Sequence, residues 1–151
     1  AQGVHERTVR ALFRAEFDVD GEGGLEVVRG DVTDPDSLQV AVEGCEVVFH
    51  LVAVVSDWAD RSLFERVTVQ GTNHLLRAAA RVGARVCLAS SVVVYGDALG
   101  REVCHEEIPL GRPTGRYSRS KQQQEALANL ADFQKQIASV MERMKGGARR
   151  R

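Results

Sequence analysis

The chain's 151 residues, 44% hydrophobic and 27% charged, match one globular domain with enough apolar content for a core, which excludes a disordered or low-complexity chain. A formal net charge of -1, from 20 basic and 21 acidic residues, supplies no field for nucleic acid or an anionic membrane, and no apolar run approaches the ~20 residues of a membrane span. The three cysteines, Cys45, Cys87 and Cys104, are widely separated, which argues against a disulfide framework or structural zinc and fits a reducing cytoplasm. Cys45 and Cys87 border or lie in apolar runs and are expected to be buried thiols. No metal site is expected, because adjacent side chains in Cys104-His105-Glu106-Glu107 diverge.

Taken in chain order, short apolar strands alternate with helices. Strands are expected at 8–13 and 25–29, separated by an acidic loop carrying Gly21, Gly23 and Gly24. Thr33-Asp34-Pro35 offers a side-chain cap and a proline in the first turn, so a helix is expected from there to Gly44. A buried strand follows at 46–51, then a long helix through Phe64, Val67, Leu75, Leu76 and Ala79 that Gly83 closes. The next strand spans 85–89, and a loop with Gly96, Gly100, Pro109, Gly111 and Pro113 leads to a helix bearing Tyr117. This alternation predicts an α/β fold with a parallel sheet covered on both faces.

Two segments carry chemistry. Tyr117-Ser118-Arg119-Ser120-Lys121 sets a phenol and an ammonium four residues apart, on one face of a helix. A nearby cation favours the phenolate, which brings the tyrosine's ordinary pKa of ~10 closer to neutral and makes it a usable acid and base. Ser91, in Ser90-Ser91-Val92-Val93-Val94-Tyr95-Gly96, ends an apolar run and can hold a substrate oxygen beside that phenol. Ser91, Tyr117 and Lys121 are therefore the candidate catalytic residues.

Together these segments resemble the extended short-chain dehydrogenase/reductases, the NAD(P)-dependent epimerase/dehydratase group whose relatives include 3β-hydroxysteroid dehydrogenases and dihydroflavonol-type reductases. The resemblance runs from about His5 to about Ala128. It implies a Rossmann-like doubly wound sheet and an oxidoreductase or epimerase acting on a sugar nucleotide or a related hydroxyl or carbonyl compound. In it, Tyr117 moves a substrate proton, Lys121 holds the nicotinamide ribose and Ser91 orients the substrate oxygen. Leu25 to Asp34 is similar to the family stretch in which Asp31 meets the adenine and Val32 offers backbone groups. Val47 to Ala53 is similar to the strand whose end, Leu51, Val52 and Ala53, passes under the cofactor ribose and pyrophosphate. Val67-Thr68-Val69-Gln70-Gly71-Thr72 is similar to the family's Asn-Val-x-Gly-Thr, with Thr68 in place of asparagine; a hydroxyl cannot replace both the donor and the acceptor of an amide. Arg14, where an acidic residue usually selects the NAD ribose, suits the 2′-phosphate of NADP, so the resemblance leans to NADP.

The resemblance also implies what this sequence does not carry. No Gly-x-x-Gly-x-x-Gly turn occurs in it, and its first strand corresponds to the family's second. The central strand of a 3-2-1-4-5-6 sheet is then missing, and the sheet is expected to be incomplete. Residues 1–128 are read as a partial NAD(P)-binding domain and 129–151 as a C-terminal helix and basic tail, with no substrate domain. Dinucleotide binding is accordingly expected to be weak. Leu130, Phe133, Ile137, Val140 and Met144 form a heptad-like stripe that packs on its own domain or on a partner. The family's dimer is built on helices corresponding to 63–82 and 118–130, which implies a homodimer. A remnant that keeps the fold without turnover is the competing reading.

Overall fold

A computed structural model of the chain describes residues 9–13, 25–56 and 58–148. β1 (Val9–Phe13) and β2 (Leu25–Arg29) pair in parallel, as do β3 (Val47–His50) and β4 (Arg85–Leu88). Among the described residues these are two separate two-stranded sheets, in keeping with the incomplete sheet expected from the sequence. The fold is Rossmann-like α/β.

Local chemistry sets the helix ends. In α1 (Pro35–Val42) the Asp34 carboxylate accepts from the Asp36 amide at 3.0 Å, and Pro35 occupies the first turn, where its missing N–H costs nothing. Gly44, at φ +73°, turns the chain toward β3. The long helix expected after β3 has three parts: a short α2 (Arg61–Leu63), a π-helical stretch (Phe64–Gln70) and α3 (Gly71–Val82). Gly83, at φ +73°, ends α3 as predicted. A 3₁₀ turn (Val92–Ala98) follows β4, and α4 (Arg116–Ala148) runs unbroken past the expected boundary at 128/129.

The core joins Val32, Leu38 and Val42 to Leu75 and Ala78 of α3, with Val48, Val67 and Val82 packed against it. Gly71 permits this approach: a methyl group there would stand 2.7 Å from Val32 Cγ2. The opposite face of β3 and β4 is open. Phe49 is 70% exposed, and its register partner Cys87 is exposed as well, while Cys45 is half-buried. Neither thiol is fully buried, contrary to the expectation, because an apolar run alone does not determine which strand face finds a covering layer. Among the described residues no helix is long and apolar enough to cross a membrane.

Candidate active site

The ends of β3 and β4 meet α3 and α4 at a buried polar cluster. Lys121, only 3% exposed, donates from Nζ to the Ala89 carbonyl at 2.6 Å, one residue past β4, and to Gln124 Oε1. The Gln124 amide nitrogen donates to Thr72 Oγ1 at 2.8 Å and to the Val52 carbonyl at 3.2 Å. Thr72 gives its one hydroxyl proton to the Thr68 carbonyl at 2.6 Å. The contact of 2.8 Å between His50 Nε2 and Thr72 Oγ1 therefore needs the proton on His50 Nε2. This tautomer makes the 3.3 Å approach of Gln124 Nε2 to His50 Nε2 a meeting of two donors rather than a hydrogen bond.

The electrostatics follow from burial. His50 is driven down to about 4, first by loss of water and then by the Lys121 charge, so it is neutral at pH 7. Burial also lowers the Lys121 pKa, an effect the Glu125 carboxylate opposes. Two of the three ammonium N–H groups are spent on Ala89 and Gln124, and the remaining one is free to serve a ligand hydroxyl.

Ser91 caps the 3₁₀ turn, its Oγ accepting from the Val93 amide at 3.5 Å. That turn is fastened to α4 by Ser118 Oγ, which donates to the Val93 carbonyl at 2.7 Å, and by Gln122 Nε2, which donates to the Val94 carbonyl at 2.7 Å and the Gly111 carbonyl at 2.8 Å. Asp97 secures the far side, accepting from the Arg112 backbone amide at 2.7 Å; this bond holds its carboxyl below the usual range. Tyr117 is half-buried in the first turn of α4, one helical turn before Lys121.

The remaining predicted residues have mixed placements. Asp31 Oδ1 accepts from the Thr33 amide and hydroxyl, each at 2.9 Å, closing a turn. Val32 is a core residue. Leu51 is 73% and Val52 38% exposed, and Ala53 is half-buried, so this stretch is open to a ligand. Thr68 is fully buried and its Oγ1 accepts from the Val54 amide at 2.9 Å, which pins the loop after β3. Arg14 lies outside the described residues, and so do the side chains of the tail stripe beyond Leu130, itself 53% exposed. A cleft of about 390 Å³ lies between Ser90, Tyr95 and Glu125 but is not lined by Ser91, Tyr117 or Lys121.

Sequence reasoning missed His50, Thr72 and Gln124. One signal was available: Gln124 follows Tyr117 by seven residues and Lys121 by three, which puts all of them on a single helix face.

Known proteins place these residues in a family. The family model for NAD dependent epimerase/dehydratase matches residues 2–144. The chain is 34% identical over 97 residues to a 3 beta-hydroxysteroid dehydrogenase/Delta 5-->4-isomerase of Mycobacterium tuberculosis, covering 58% of this chain and 26% of that protein. Among solved structures, it is 36% identical to a short-chain dehydrogenase/reductase superfamily protein of Agrobacterium tumefaciens with bound NAD, with a TM-score of 0.70 over 82% of this chain and 37% of that one. It is 26% identical to the uronate dehydrogenase of Agrobacterium tumefaciens, with a TM-score of 0.74 over 82% of this chain and 46% of that one. The chain thus spans less than half the length of each of these three proteins. With the family model matching nearly its whole length, the chain belongs to the NAD dependent epimerase/dehydratase family.

Proposed function

We propose that this chain is the dinucleotide-binding and acid/base portion of an NAD(P)-dependent oxidoreductase or epimerase/dehydratase that works on a hydroxyl or carbonyl carbon of a sugar nucleotide or related compound. The observation that carries this reading is the Lys121 ammonium, fixed at the end of β4 one helical turn from Tyr117, with one N–H unspent. A nicotinamide cofactor, when bound, accepts or supplies hydride. Lys121 then holds a ribose hydroxyl, Tyr117 moves the proton of the substrate oxygen, and Ser91 orients that oxygen. Asp31 and the backbone of Val32 face the adenine end, and Leu51, Val52 and Ala53 the ribose and pyrophosphate. Thr68 shapes the site by holding the Val54 amide, not as a ligand group. The neighbour with bound NAD supports a nicotinamide dinucleotide; the NADP preference rests on Arg14 alone.

A second reading is favoured by two strand pairs that share no ladder among the described residues and by a sequence without a Gly-x-x-Gly-x-x-Gly turn. In it the 151-residue polypeptide keeps the fold but not turnover. Pyrophosphate normally gains its grip from helix N-terminal amides and their dipole, and each 1.4 kcal/mol lost is about tenfold in affinity. Calorimetric titration with NADH and NADPH separates the two readings. Binding weaker than micromolar, further weakened by Lys121→Met, is the expected result for a residual site. A micromolar constant with reduction abolished by Tyr117→Phe would refute the second reading, and no binding at any concentration would refute the first for this polypeptide.

A further inference from the structure

Gln124 is fully buried on a face of α4 where a leucine would fill the same space, yet both ends of its carboxamide are used. Burying an amide without partners is costly, and this one has a partner for each polar atom. Its oxygen takes one N–H of Lys121, and its two N–H groups reach Thr72 of α3 and the Val52 carbonyl beyond β3. With Ala89 taking a second ammonium proton, the direction of the third is fixed by tetrahedral geometry. Remove the Gln124 oxygen and the ammonium pivots on the Ala89 bond alone, with a second N–H left without a protein acceptor.

We propose that Gln124 is the positioning residue of this site, setting where the Lys121 ammonium stands and how firmly it stays charged. Its consequence for ribose binding rests on the function proposed above. The carboxamide couples Lys121 to the loop after β3, so the residues expected to hold the ribose from below and the ammonium that meets it from the side share one bridge. Facing Lys121 are two titratable groups: Glu125 on α4, whose carboxylate raises the Lys121 pKa, and His50 of β3, which the Lys121 charge helps to keep neutral.

The test uses the chain's lysines, Lys121, Lys135 and Lys145, which are few enough to resolve by NMR after ε-carbon labelling. In the wild type Lys121 titrates below the ordinary lysine value. Loss of a buried hydrogen bond to a charged group in Gln124→Leu lowers that titration further, by about one to two pH units. Gln124→Glu, of the same shape with a charged acceptor, raises it above the wild type. Titration unchanged in both variants overturns the proposal. If Gln124→Leu does not fold, Gln124→Glu decides: a rise supports the proposal and no rise overturns it. A merely structural glutamine would alter stability without moving the lysine titration. Wild-type and variant titrations that behave as stated, in a chain that binds no NADH, leave this inference standing and remove the functional reading. NADH binding with an unmoved lysine removes this inference alone.

Discussion

Thr72→Val isolates the hydrogen bonding at the heart of the site from its packing. Thr72 is 1% exposed, and its hydroxyl accepts from His50 Nε2 and Gln124 Nε2, each at 2.8 Å, while donating to the Thr68 carbonyl at 2.6 Å. Valine keeps the shape and deletes all three bonds. The Gln124 amide retains the Val52 carbonyl for one N–H, but the other loses its acceptor, as does His50 Nε2–H. Each unsatisfied buried donor costs about 1–3 kcal/mol, so with two of them the variant loses about 2–6 kcal/mol. Thr72→Ser keeps the hydroxyl and removes one methyl, for a loss of about 1 kcal/mol. In urea unfolding followed by far-ultraviolet circular dichroism, which reads the helices, the valine variant's midpoint falls by roughly 1–3 M and the serine variant's by less than half of that. A serine variant as unstable as the valine one, or more so, would refute the reasoning and make Thr72 a packing residue.

The same cluster predicts an acid sensitivity. Unfolded His50 titrates near 6.5 and folded His50 near about 4, so the unfolded chain takes up a proton the fold refuses. The His50 contribution is complete above 6.5 and is lost as pH falls toward about 4, a change of about 3 kcal/mol; His50→Gln flattens that slope in pH-dependent urea unfolding. Glycines at positive φ separate by surroundings: Gly96→Ala drives a methyl to 2.2 Å from the Arg112 carbonyl, whereas Gly83→Ala meets nothing within 4 Å. The first therefore costs ~3 kcal/mol or more and the second ~1 kcal/mol, measured by the same unfolding assay. The helices 63–82 and 118–130 are proposed to pair two copies, and light scattering at tens of micromolar gives a dimer mass; a strictly monomeric mass removes that proposal.

Much of the scaffold was legible because its signals are local. Asp34-Pro35 and Gly83 act through their own backbone geometry, and the helices start and stop there. Tyr117 and Lys121 were legible as a pair because helical periodicity puts them on one face. The π-helical stretch was not, since Phe64 to Gln70 differs from an ordinary helix only in which carbonyl each amide chooses, and Gly71 against Val32 shapes that region through tertiary contact. Gln124 sits among three consecutive glutamines that look alike in sequence; only the packed strands show that Gln122 holds the 3₁₀ turn and Gln124 holds the lysine. Cys87 misled for the same reason, because the cover over a strand face lies elsewhere in the fold.

The two strand pairs have a consequence for cooperativity. Backbone ladders ordinarily make the opening of one strand depend on its neighbour, but here β1 and β2 share no ladder with β3 and β4 among the described residues. The link between the halves is carried by α1 lying on α3. Amide protons of β3, β4 and α3 should then exchange with solvent through one opening event, and those of β1 and β2 through another that needs less free energy. Exchange of all four strands through a single opening would show instead that the packing of α1 on α3 binds the two pairs into one unit.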